Sequence, residues 1–68
     1  MENNNLANLN QEERIVLNLK QNLDIFLNTQ GEEKETSKKN IEKLLCEMRI
    51  LDIYYKYYNL TGTYERNI

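Results

Sequence analysis

The chain has 68 residues, no proline, no histidine, two glycines, one cysteine and a formal net charge of −2. Without histidine it excludes histidine metal sites and Cys–His or Ser–His–Asp catalysis, and its lone cysteine excludes an internal disulfide framework and a thiolate metal cluster. Hydrophobic residues at 40% and charged residues at 29% fit a small folded domain in water, and no apolar run nears the ~20 residues of a membrane span.

Charge is spread rather than focused. Residues 1–31 carry four acids and two bases, residues 32–45 four of each, and residues 46–68 three of each. A nucleic-acid binder needs a basic patch to draw in phosphate, and no segment supplies one. Nothing at the start reads as a basic-then-apolar signal sequence, and one cysteine suits a reducing compartment, so a cytoplasmic location is expected. Eleven asparagines suggest an AT-rich coding sequence of bacterial or phage type.

Residues 1–9, MENNNLANL, lack periodicity and read as a flexible leader, with Leu9 against the first helix. Asn10 is an N-cap, and Glu13 three residues later completes a capping-box pattern. The first helix is expected over residues 11–29. Val16, Leu19, Leu23 and Phe26 form its apolar stripe at heptad spacing, widened by Ile15 and Leu27. Leu17 and Ile25 fall off the stripe.

Gly31 marks the break, as a C-cap of the first helix. The sign-mixed charges that follow read as a solvated loop, and Thr36 or Ser37 as the cap of a second helix over residues 37–60. This second helix carries two stripes on nearly opposite sides. One is Ile41, Leu44, Met48, Leu51, Tyr55 and Tyr58, a heptad seam; the other is Cys46, Ile50, Ile53, Tyr57 and Leu60, with Tyr54 beside it. Glu35–Lys39 and Asp52–Lys56 are spaced as ion pairs along the same helix. Gly62 is expected to cap it in the left-handed region, leaving residues 62–68 as a loose tail.

These expectations describe an all-α antiparallel two-helix hairpin, a single domain over residues 10–61, with the first stripe as its core seam. A helix that is apolar on opposite sides is buried on both. The hairpin covers one side, so the second stripe predicts a partner surface, and self-association into a four-helix bundle is its simplest use. Cys46 reads as a small hydrophobe in that stripe or as a thiol at a subunit interface.

No catalytic constellation stands out. Glu47 and Asp52 do not share a helix face, there is no glycine-rich phosphate loop, and neither a cofactor nor a metal is expected. Tyr54, Tyr55, Tyr57 and Tyr58 around Lys56 read as core and interface packing, as a protein-docking hot spot, or as a stacking platform for single-stranded nucleic acid. The segment Leu45-Cys46-Glu47-Met48-Arg49 resembles the Ser-Gln-Glu-Leu-Asp motif on the second helix of small phosphatases of sporulation phosphorelays. Glu47 and Met48 match that motif, while Arg49 stands where the family has its essential acid. Small plasmid copy-control hairpins, which dimerise into four-helix bundles, are similar in architecture.

The expected function is therefore that of a small non-enzymatic protein-binding regulator: an inhibitor, antirepressor or adaptor. Its partner is another protein, it is expected to form a homodimer, and it has no membrane role. The alternatives are a dimeric helical hairpin that binds RNA or DNA and, more remotely, an aspartyl-phosphate phosphatase.

Overall fold

The computed structural model describes residues 10–68, and it is all-helical over them, with no strand. The leader expected over residues 1–9 and the contacts expected of Leu9 lie outside the described residues. Helix α1 spans Gln11–Asn28, α2 spans Glu32–Ile50, a single 3-10 turn covers Tyr55–Tyr57, and α3 spans Tyr58–Arg66. No helix among the described residues is long and apolar enough to cross a membrane.

α1 begins as its sequence dictates. The Glu13 amide donates to the Asn10 side chain at 2.8 Å, and the Asn10 amide donates to the Glu13 carboxylate at 3.2 Å, a reciprocal capping box. At its other end the last carbonyls are met by side chains. Asn28 donates to the Asp24 carbonyl, Thr29 to that of Ile25, and Lys34 reaches over from α2 to that of Phe26 at 3.1 Å. The Lys34 ammonium also sits 4.4 Å from the Phe26 ring centre, so one cation serves both a helix C-terminus and an aromatic face.

The interhelix loop is shorter than expected, because α2 starts at Glu32 rather than at residue 37. Glu32, Glu33 and Glu35 lie in its first turn, where acids favour the helix dipole, and Glu and Lys are both good helix formers. Sign-mixed charge thus marked a solvated helix, not a loop. Gly31 takes φ +74° at the N-cap of α2, while Thr29 in extended backbone is the C-cap of α1. Ser37 caps nothing. It is buried in the second turn of α2, its hydroxyl donating to the Lys34 carbonyl at 2.8 Å.

The largest difference lies at the other end of α2. A continuous helix to residue 60 is replaced by a helix end at Ile50 and a third helix that folds back. Leu51 is the C-cap and Asp52 adopts φ +62°, in the left-handed region. The Ile53 amide donates to the Met48 carbonyl at 2.9 Å and the Asp52 amide to the Arg49 carbonyl at 3.1 Å. Those two bonds, with a left-handed residue between helix and exit, are a Schellman motif with aspartate where glycine is usual. Asp52 therefore does not pair with Lys56 along a helix; Lys56 instead meets Glu12 of α1 at 2.7 Å.

α3 is amphipathic and packs against α1. Residues 62–66, expected as part of a loose tail, are helical, and Gly62 lies inside α3 rather than capping a helix. Tyr64 is among the most deeply buried side chains, with Leu19, Phe26, Ile41 and Met48. The core joins Ile15, Leu19, Leu23 and Phe26 of α1 to Ile41, Leu44, Leu45 and Met48 of α2, and adds Ile53, Tyr54 and Tyr64.

Candidate functional site

The break at Asp52 redistributes the two stripes of the second half. On the first stripe, Ile41, Leu44 and Met48 are buried in one cluster with Leu19, Leu23 and Phe26, and Val16 is buried as well, whereas Leu51, Tyr55 and Tyr58 are exposed. On the second, Cys46 and Ile50 are exposed, Ile53 and Tyr54 are buried, and Tyr57 and Leu60 are half-buried against the core. Past the turn the faces have changed places. The apolar side that a second molecule was expected to cover is covered from Ile53 onward by the chain itself.

Three tyrosine hydroxyls hold the folded-back segment. Tyr64 donates to the Glu42 carboxylate of α2 at 2.8 Å, Tyr57 donates to Glu12 of α1, and Tyr54 donates to Glu65 within the segment. Arg49 stacks its guanidinium 4.4 Å from the Tyr54 ring centre. Around Glu12 the charges are matched. Lys56 and the Tyr57 hydroxyl hold its carboxyl below the ordinary value, and Glu12 in turn raises Lys56 and Tyr57 above theirs. Burial, then the Glu42 carboxylate, pushes the Tyr64 phenol upward.

Tyr64 and Thr61 are the residues that sequence reasoning missed. The signal was present: the second stripe continues from Leu60 to Tyr64 at a spacing of four, straight past Gly62. Gly62 does not stop the helix, because glycine inside a helix costs only about 1 kcal/mol relative to alanine.

Leu17, Ile25 and Leu27 on α1 and Ile68 at the end of the chain are each exposed, but a group of four exposed apolar side chains lies at one turn. Ile50 is 77%, Tyr55 81%, Tyr58 52% and Leu51 37% exposed, and all four fall within residues 50–58 at the turn from α2 into α3. This corner lies at the end of the hairpin away from its loop, the end at which Tyr57 and Lys56 meet Glu12. On the side of α2 away from Glu42, a shallow groove between α1 and α2 is lined by Asn22, Ile25, Thr29, Thr36 and Asn40. Asn40 bridges it by donating to Asn22 at 3.1 Å, and Ile25 contributes apolar surface to its lining.

No three His, Cys, Asp or Glu side chains among the described residues are placed to hold a metal ion, and Cys46 is exposed on the outer face of α2. Compared with known proteins, the chain matches no family model, no curated protein and no solved structure.

Proposed function

We propose that this protein is a small helical protein-binding regulator that docks through the corner formed by Ile50, Leu51, Tyr55 and Tyr58. The observation carrying this reading is the concentration of exposed aliphatic and aromatic side chains at one turn. Scattered surface leucines need no explanation, but adjacent Ile, Leu and Tyr side chains left in water mark an interaction surface. Tyrosine adds large rigid contact area with a polar tip, which is the make-up of interface hot spots. The corner is also held in shape, because Arg49, Tyr54 and Glu65 brace it from behind and Lys56 and Tyr57 tie it to Glu12. A protein partner with an apolar groove or helix stripe is its complement; the nearby cations are engaged, Arg49 on the Tyr54 ring, Lys56 with Glu12 and Arg66 with Thr63. Such a regulator works in the cytoplasm, where the exposed thiol of Cys46 stays reduced.

In the closed chain Ile53 and Tyr54 of the second stripe are buried against its own core, so the side chains left free to meet a partner are those of the corner. The docking reading is tested by comparing wild type with Ile50→Glu, Tyr55→Glu and, as a control on the groove, Ile25→Glu in affinity capture from the native host. The two corner variants should lose a partner that wild type and Ile25→Glu retain, with helical circular dichroism unchanged in all four. Retention should vary little with salt, whereas a nucleic-acid complex would weaken steeply. Equal capture by the corner variants and wild type would remove the corner from the function.

A further inference from the structure

The turn at Leu51–Tyr54 separates two helices that the sequence could equally join. Residues 32–61 contain neither glycine nor proline, and the stripe Ile41, Leu44, Met48, Leu51, Tyr55, Tyr58 keeps its 3–4 spacing through the turn without a break. The turn depends instead on one left-handed residue, Asp52 at φ +62°, a conformation that non-glycine side chains resist. A short connection with a strained hinge and no helix breaker is the setting in which chains exchange an element between copies.

We propose that Leu51–Tyr54 is a hinge that opens, fusing α2 and α3 into one long helix whose α3 portion docks on the hairpin of a second copy, giving a domain-swapped dimer. In the closed chain α3 returns antiparallel to α2, with Tyr64 against Phe26 and Glu42, and Tyr57 on Glu12. In the swapped pair the long helices run antiparallel about a two-fold axis at the hinge, and the same contacts form between copies. Leu51, Tyr55 and Tyr58, left in water by the closed form, return to the seam side of a continuous helix beside that axis. The swap thus accounts for both the unbroken heptad and its exposed second half, which two separate monomers do not. One contact belongs to the closed state alone. The Tyr54 hydroxyl cannot reach Glu65 when the two stand eleven residues, about 16 Å, apart along one helix. The swap also hides Leu51, Tyr55 and Tyr58 of the corner, so the closed monomer is the form free to dock a partner. The exchange itself stands without any docking role.

The test sets hinge preference against association. Asp52→Ala favours helix and penalises the left-handed turn, while Asp52→Gly relaxes the turn and disfavours helix. Sedimentation equilibrium should give Asp52→Ala a mass twice the 8.2 kDa of the chain at micromolar concentration. Wild type should dimerise at least tenfold more weakly, and Asp52→Gly should stay monomeric up to millimolar concentration. In an equal mixture of isotope-labelled and unlabelled Asp52→Ala, filtered NOE spectra should show contacts between the Phe26 ring of one copy and the Tyr64 ring of another. Wild type at millimolar concentration should show the same cross-peaks more weakly, which keeps the test independent of how well a variant folds. The swap is overturned if neither sample shows them, or if Asp52→Ala dimerises while its Phe26–Tyr64 contact stays within each chain. Neither result bears on capture through Ile50 and Tyr55, so the docking reading stands or falls separately.

Discussion

The ring of Tyr64 lies 5.2 Å from that of Phe26, tilted by 56°, and joins the last helix to the first. Few contacts bear more directly on the architecture, because they turn a hairpin into a three-helix fold. Tyr64→Ala should destabilise the protein by about 3–5 kcal/mol, the range for emptying a buried aromatic site, and should free α3 from the hairpin. Tyr64→Phe keeps the ring and loses only the hydrogen bond to the solvent-exposed Glu42, so it should cost about 1 kcal/mol or less. Urea unfolding of both variants checks the pair. A similar loss in each would mean that the hydroxyl, not the ring, holds α3.

Alkaline stability follows from the same residue. Tyr64 titrates above its ordinary value of 10.0, through burial first and the Glu42 carboxylate second. A group whose folded pKa is raised contributes stability that is full below the ordinary value and lost as pH climbs through the folded one. Lys56 and Tyr57 are raised as well, so they act in the same direction. Stability should therefore fall above pH 10, and more gently in Tyr64→Phe. Glu12 is lowered from 4.5, so its contribution is present above that value and lost as pH falls further. Glu12→Gln should flatten the acid limb while leaving the loss tied to Tyr64. Thermal melts across the pH range read both limbs.

Ile50 and Ile53 are one helical turn apart in sequence and opposite in consequence. Ile53 is buried in the core cluster and Ile50 is mostly in water. Ile53→Glu places an unpaired charge in the core and should cost well over 3 kcal/mol, enough to unfold so small a domain. Ile50→Glu should alter stability by about 0.5 kcal/mol at most. Circular dichroism at room temperature separates them. A folded Ile53→Glu would mean that the turn at Asp52 is not the dominant state.

Thr61 is fully buried, and its hydroxyl has no hydrogen-bond partner among the described residues. Thr61→Val keeps the shape and removes a desolvated polar atom, so it should raise stability by about 1 kcal/mol. Next to it, a Cβ on Gly62 would lie 3.2 Å from the end of the Arg66 side chain and 3.4 Å from the Tyr58 ring. Arg66 is flexible and both neighbours reach solvent, so they can move aside. Gly62→Ala should then stabilise α3 by about 0.5–1 kcal/mol through the loss of chain entropy in the unfolded state. Gly31→Ala is the contrast. At φ +74° an alanine is strained, and the same substitution should destabilise by about 1 kcal/mol. Urea midpoints for the three variants give the signs.

The sequence by itself determined what depends on near neighbours. Asn10 and Glu13 are three residues apart and cap α1 wherever that helix is placed. The heptads through Leu19, Leu23 and Phe26 and through Ile41, Leu44 and Met48 specify two helix faces that bury against each other. What lies after Ile50 was decided by the tertiary structure. α1 has 18 residues and α2 has 19, so the hairpin is already full when α2 ends. A straight helix continuing to residue 60 would overhang the start of α1 by roughly 15 Å. Tyr57, Leu60 and Tyr64 would then reach past the described hairpin rather than pack on it. Turning at Asp52 trades one strained residue and a few helix bonds for the burial of Ile53, Tyr54 and Tyr64. No local periodicity records that exchange, because the surface that rewards it is built by residues some forty positions earlier in the chain.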